Sequence, residues 1–241
     1  MTATRGVRLA VVLCTFLPLG CRSPAGPAPA GASRVERLEA DLARGEGAPF
    51  ALRIALASAC LDVVDDPRVS EAQKLRYARR ALEHADAAIR LEPERVEGHY
   101  YRAVSLGQVL DHSTLPNLGL IGELEAAGIR ARELDPGYAD AGPLRLLALL
   151  YQKAPAWPIG PELAGETEVI EELFAEAIER APGSVENRLA YAEFLHEEGR
   201  REDARKSALR AKELLDARGD RGAETESLRR RLRELLAALD S

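Results

Sequence analysis

Apolar residues recur at helical spacing along most of the chain from residue 34 onward. Val35, Leu38 and Leu42 lie three and four positions apart, between Ser33, which can cap a helix, and Gly45, which can end one. Ala, Leu, Arg and Glu dominate the composition, and all four favour helices. No window alternates β-branched or aromatic residues with polar ones over the length of a strand. The pattern therefore predicts an all-α protein.

The same periodicity, with its interruptions at proline and glycine, predicts the helix boundaries. Helices are expected over residues 34–43, 49–64, 70–91, 96–110, 120–134 and 166–180. Another begins near Tyr138, and two more follow Pro182, with the turn between them at Gly199. A last amphipathic helix has one apolar stripe, formed by Leu228, Leu232, Leu235, Leu236 and Leu239.

Three of these helices end with small or apolar residues at the same offsets before a proline. The three sets are Ala81, Ala85, Ala88 and Pro93; Leu124, Gly128, Ala131 and Pro136; and Ile170, Phe174, Ala177 and Pro182. This spacing is typical of the second helix of a tetratricopeptide (TPR) hairpin. We therefore expect residues 34–241 to form a right-handed α-solenoid of about four degenerate TPR hairpins, closed by a C-terminal capping helix.

The prolines are farther apart than the 34 residues of a standard TPR unit. Pro93 and Pro136 are 43 residues apart, and Pro136 and Pro182 are 46 apart. The excess falls in two loops within hairpins, residues 111–119 and 153–165. Insertions on one face of a repeat protein commonly carry its binding surface, so both loops are candidate recognition elements.

The N-terminus has the features of an export signal. Arg5 and Arg8 precede an apolar run over residues 9–17 that is too short for a membrane-spanning helix. The run ends in Leu-Pro-Leu-Gly-Cys, which resembles a bacterial lipobox, so we predict a signal peptide over residues 1–20 and lipidation of Cys21. Residues 21–33 then form a linker rich in Pro, Ala and Gly. The alternative is a secretory peptide cleaved after Ala28 or Ala30.

Charge and the remaining residue types narrow the function. The chain has a net charge of −6, which becomes −8 without Arg5 and Arg8 of the predicted signal peptide, so the balance disfavours nucleic acid as a partner. The four histidines are scattered, and no metal-ligand spacing, nucleophile elbow or phosphate loop is present. We expect neither catalysis nor a metal or cofactor, and we expect Cys60 to be a small core residue.

Residues 97–208 resemble the T component associated with tripartite ATP-independent periplasmic (TRAP) transporters. The likeness rests on EGHYY from Glu97, on LGLIGELEAAGIRA from Leu118, and on ELDPGY from Glu133. Ala141-Gly142-Pro143, followed by LLYQKAPAWP from Leu149, is the most specific part. The resemblance implies a lipid-anchored periplasmic TPR protein, often trimeric, that partners the transporter's solute-binding subunit and has a pore suited to a small or apolar ligand.

Candidate contact residues lie in and beside the two loops. Trp157 and Tyr151 offer large rigid contact area, Lys153 can neutralise a carboxylate, and Asn117 and His99 can hydrogen-bond. Tyr100 is a further candidate. The alternative for Trp157 is that it covers the end of the third hairpin, and the alternative for Tyr100 and Tyr101 is a place in the core.

Two functions remain open from the sequence. The first is an accessory protein of a TRAP-type uptake system, held by a lipid on the periplasmic face of a bacterial membrane and docking a solute-binding protein. The second is a TPR lipoprotein scaffold for outer-membrane or pilus assembly. The second function requires only the repeats and the anchor, whereas the first also assigns binding to the inserted loops.

Overall fold

A computed structural model describes residues 31–113, 118–155, 160–219 and 223–240. These residues form ten helices and no strand, which confirms the predicted all-α solenoid. The helices are α1 Ala32–Arg44, α2 Pro49–Val64, α3 Glu71–Leu91, α4 Val96–Asp111, α5 Leu118–Leu134, α6 Tyr138–Lys153, α7 Thr167–Arg180, α8 Val185–Glu197, α9 Arg201–Arg218 and α10 Ala223–Asp240. None of them has the length and apolarity needed to cross a bilayer.

The helices pair as four hairpins, α2 with α3, α4 with α5, α6 with α7 and α8 with α9. Alanine is frequent on the buried faces of the second helices: Ala81, Ala85 and Ala88 of α3 are fully buried, as are Ala204, Ala208 and Ala211 of α9. Small side chains let neighbouring helix backbones approach closely. The helix α1 packs on α2, and α10 packs on α8 and α9, so both ends of the repeat array are covered.

Helix boundaries follow local rules at most positions. Gly45 ends α1 in the left-handed conformation at φ 69°, and Gly199 turns the chain between α8 and α9 at φ 74°. The backbone N–H of Ser70 donates to Gln73 Oε1 at 3.3 Å, as the predicted capping box requires. The predicted Ser33 cap is wrong, because α1 begins at Ala32 with Gly31 at its N-cap and no side-chain cap bond.

The start of α6 differs from the expected right-handed helix. Ala139, Asp140 and Ala141 all have positive φ, between 50° and 60°, and form a left-handed turn before the right-handed helix resumes. Such a turn costs roughly 1–2 kcal/mol per non-glycine residue, so other contacts must hold it. Asn187 Nδ2 donates to the Asp140 carbonyl at 2.9 Å, and the Tyr100 ring packs against Gly142.

Asn187 of α8 connects three elements. Its amide also donates to the Ala177 carbonyl of α7 at 3.0 Å, while its oxygen accepts from Arg145 of α6. The side chain is fully buried, so each of these bonds replaces one with water. Asn187 therefore fixes the third hairpin against the fourth.

The apolar core has two parts. The N-terminal part gathers α1, α2 and α3 around Leu56, Val63 and Tyr77, and includes Cys60, which is fully buried as predicted. Burial raises the pKa of the Cys60 thiol to about 11. The C-terminal part gathers α6 to α10 around Phe174 and Phe194, whose ring centroids are 5.8 Å apart.

Gly142→Ala is expected to destabilise the fold by about 1–3 kcal/mol, the usual cost of overpacking. The added methyl carbon would lie 2.6 Å from the Tyr100 ring, so the ring or the left-handed turn must move. Urea denaturation measures the loss. Gly122→Ala is the control: nothing lies within 4 Å there, and alanine on an exposed helix should add about 0.5–1 kcal/mol. Equal effects of the two substitutions would contradict the proposed role of Gly142.

The stability of the fold should decrease as the pH is lowered below about 6.5, the ordinary pKa of histidine. His84 is buried, and Arg53 Nη1 lies 3.0 Å from its Nδ1. Burial, followed by the charge of Arg53, lowers the pKa of His84 in the folded state. The unfolded chain therefore binds a proton at His84 more readily than the folded chain does. The free energy of unfolding accordingly decreases as the pH falls.

The measurement is the urea midpoint at pH 7 and at pH 5. His84→Gln should flatten the difference between the two, whereas His196→Gln, a control on α8, should leave it in place. An unchanged pH dependence in His84→Gln would rule out His84 as its source.

Candidate protein-binding groove

The first helices of the four hairpins form the inner face of the solenoid. Within the described residues α2 contacts α4, α4 contacts α6, and α6 contacts α8. Over the same part of the chain the second helices, α3, α5, α7 and α9, make no such contacts with each other. In a curved array, the row whose members touch is the concave one, and concave surfaces are the binding surfaces of repeat proteins.

An apolar cleft of about 480 Å³ opens on this face between α2 and α4. Its floor consists of small and aliphatic residues from α2, together with one aromatic ring from each helix: Phe50, Ala51, Ile54, Ala55, Ser58 and Tyr101. Ile54 and Ala55 remain partly exposed there, although α2 is apolar on nearly all of its faces. A helix that is apolar on nearly all of its faces is normally buried on every side. The partly exposed cleft is therefore a surface suited to a protein partner.

The rim of the cleft is charged but internally paired. Arg95 lies 4.9 Å from the Phe50 ring centroid, and its Nε donates to Glu97 Oε2 at 3.1 Å. This hydrogen bond lowers the pKa of Glu97, which keeps that carboxylate ionised. Arg34 pairs with Asp62 at 2.7 Å on the other side. An apolar floor within a polar rim is the usual arrangement of a protein interface.

The inner face becomes polar toward α8. Gln152 Nε2 of α6 donates to Glu197 Oε2 of α8 at 2.6 Å, and Arg145 reaches across to Asn187. Farther along, Arg231 of α10 pairs with Glu193 of α8 at 2.6 Å. The apolar part of the groove is therefore confined to the first two hairpins.

The residues predicted as contacts do not all gather at one site. His99 Nε2 lies 2.8 Å from the Pro93 carbonyl, so this ring supports the loop before α4. The Tyr100 ring meets Tyr101 and Tyr138 edge-on, at centroid distances of 5.6 and 5.2 Å. Tyr100 thus joins α4 to the start of α6 and stays partly exposed.

Tyr151 and Lys153 lie at the other end of α6. Tyr151 is buried and donates its hydroxyl to Glu125 Oε1 of α5 at 2.9 Å. Burial and this hydrogen bond raise the pKa of Tyr151. Nine residues separate Tyr151 from Gly142, the contact of Tyr100, which is roughly 14 Å along a helix. Lys153 is exposed, and Asn117 and Trp157 lie outside the described residues.

Two features of this face were missed by sequence reasoning. The near-continuous apolar composition of α2, broken only by Arg53, Ser58 and Asp62, could have indicated an additional covered face. Asn187 gave no signal, since nothing in the sequence distinguishes it from a surface asparagine. Its importance depends on the left-handed turn of α6, which is 47 residues away in sequence.

Comparison with known proteins supports the fold. No family model matches the sequence, and no curated protein matches it either. A solved structure of a thermophilic TPR protein from Thermus thermophilus is similar, with 17% identity and a TM-score of 0.51. The similarity covers 86% of this chain and all of that one. The chain thus has the fold of a TPR-type α-solenoid.

Proposed function

We propose that this protein is a lipid-anchored periplasmic accessory component of a TRAP-type solute uptake system. It docks a solute-binding protein and passes a small or apolar ligand to it. The observation that carries the proposal is the Ala141-Gly142-Pro143 segment with its downstream YQKAPAWP loop, set within TPR hairpins. The anchor at Cys21 and the solute-binding partner both rest on the resemblance described above.

The loop after α6 is held at both ends by the solenoid. Tyr151 at its start is buried, and the backbone N–H of Gly165 at its end donates to the Tyr151 carbonyl at 2.8 Å. Closing the loop on a fixed helix end reduces the conformational entropy lost when a partner binds it. This geometry supports the loop as a recognition element.

The apolar cleft between α2 and α4 supports docking of a whole protein rather than a small ligand alone. Its floor is aliphatic and aromatic, and its rim charges are already neutralised by one another. A partner therefore gains apolar burial there without leaving an unpaired charge.

A second candidate function is a scaffold for outer-membrane or pilus assembly. The observation that favours it is the position of the cleft, which lies in the first two hairpins and is lined by no described residue of the loop after α6. A scaffold would bind its partner proteins in the cleft, and the loop after α6 would have only a packing role.

Affinity purification after chemical crosslinking in periplasmic membranes separates the two functions. The accessory function predicts that a solute-binding protein is recovered, and that changing Lys153 and Trp157 together to Ala lowers its recovery at least tenfold. The scaffold function predicts recovery of assembly proteins and little effect of that change. Absence of any solute-binding protein after crosslinking would contradict the proposal.

Ile54→Glu tests the groove, since it places a charge on the floor of the cleft between α2 and α4. We expect partner recovery to fall at least tenfold, because a buried unpaired carboxylate is costly. Ile129→Glu is the matched control on α5, where the isoleucine is 40% exposed and lies outside the cleft. Equal losses from both variants would show that the groove is not the docking surface, and circular dichroism confirms that each variant folds.

Cys21→Ser tests the anchor separately. The unlipidated variant should keep its signal peptide and fail to incorporate labelled palmitate. Palmitate incorporation equal to that of the unchanged protein would rule out Cys21 as the lipidated residue.

A further inference from the structure

A crevice of about 310 Å³ lies between α8 and α9, away from the apolar cleft. Its walls carry three basic side chains and one acidic one, with a tyrosine, a leucine and a serine: Arg188, Arg200, Lys206, Asp203, Tyr191, Leu195 and Ser207. The whole chain has a net charge of −6, so a crevice with an excess of two positive charges is unusual on this surface. The volume is at the lower end of the range for small-molecule sites.

Arg188 is the feature that sets this crevice apart. Its Nε is buried and has no hydrogen-bond partner in the described part of the chain. Every other partly buried arginine there donates to a carboxylate, an amide, a carbonyl or a histidine: Arg53, Arg80, Arg102, Arg130, Arg145 and Arg229. A donor nitrogen that is shielded from water and has no acceptor is unfavourable. Arg188 is partly exposed, and its buried Nε is a donor for which the described chain supplies no acceptor.

The neighbouring charges do not neutralise Arg188. Asp203, the acid of the crevice, pairs with Arg200 at 3.1 Å and with Lys206 at 3.5 Å. Arg200 is also paired with Glu171 of α7. Arg210 lies close enough for its charge to act on Arg188, although its own Nη1 is 2.7 Å from Glu213. Burial, followed by the repulsion of Arg210, lowers the pKa of Arg188.

Contacts within the protein hold the walls of the crevice in place. The Ser207 hydroxyl donates to the Arg188 carbonyl at 2.9 Å, which joins its two walls. The Tyr191 ring packs against Phe174 of α7 at a centroid distance of 5.5 Å. A guanidinium presented by a fixed helix, beside a fixed aromatic ring, is preorganised for a ligand.

We propose that this crevice binds a small molecule bearing an oxyanion, a carboxylate or a phosphate, through the guanidinium of Arg188. The planar fork of arginine matches both groups in a bidentate geometry. The Tyr191 ring and the Leu195 side chain supply the contact for an apolar part of the same ligand. This site does not depend on the proposed transport role, because it lies outside the cleft and the loop after α6.

The test is thermal denaturation of the full chain in detergent, with sodium benzoate or inorganic phosphate added and sodium chloride matching the ionic strength. A ligand that binds only the folded state raises Tm in a saturable manner. We expect a rise with at least one of the two probes beyond that of chloride. A response to benzoate alone identifies a carboxylate ligand, and a response to phosphate alone identifies a phosphate ligand.

The variant Arg188→Gln should abolish this response, and Arg188→Lys, which keeps the charge without the fork, should raise the half-saturating concentration at least tenfold. Arg90→Gln is the control, since that arginine is exposed and makes no ion pair in the described residues. A response no larger than that to chloride, or one retained in Arg188→Gln, would overturn the proposal.

Discussion

Close approach of neighbouring helices is the constraint on which the rest of this structure depends. The buried faces of the second helices are rich in alanine, and the alanines of α3 and α9 named above have no accessible surface. A larger residue in a seam would push two helix axes apart and change the curvature of the array. Large apolar residues such as Phe174 and Phe194 also lie between successive hairpins, beside close approaches made at Gly128 and Gly142. Small residues at the close approaches therefore determine how neighbouring helices can pack.

One local irregularity follows from that constraint. The third hairpin approaches the second through Gly142, against which the Tyr100 ring lies. The backbone before it takes a left-handed turn, whose Asp140 carbonyl is bound by the buried amide of Asn187. A hydrogen bond from the fourth hairpin thus helps to hold the strained turn. The same contacts bring Arg145 onto the inner face, where the surface changes from apolar to polar.

The sequence predicts the regular parts of this fold well. The positions of the hairpins and of the capping helix follow from alanine spacing, glycine stops and prolines, which are local signals. The left-handed turn does not, because it depends on Tyr100 and Asn187, residues far from it in the chain. The candidate site was predicted only in part: Tyr100 and Tyr151 are well-placed aromatics, but both pack between helices. The apolar cleft arises from partial exposure of α2, and burial of a single helix face is decided by tertiary packing.

Arg188 illustrates the same limit for charged residues. In sequence it is one of many basic residues on amphipathic helices, and nothing marks it. Its unpaired state appears only when the partners of the surrounding arginines and acids are known. The solenoid thus leaves apolar side chains partly exposed between α2 and α4, and a buried arginine nitrogen without a hydrogen-bond partner in the described residues between α8 and α9.

The central claim is that the inner face of the first two hairpins docks a periplasmic solute-binding protein. Photocrosslinking in living cells, with benzoylphenylalanine at position 54 in the cleft or at position 129 outside it, tests this claim most directly. The account predicts a crosslinked product from position 54 that mass spectrometry identifies as a solute-binding protein, with no such product from position 129. The same products from both positions, or a product from position 54 that contains no solute-binding protein, would contradict it.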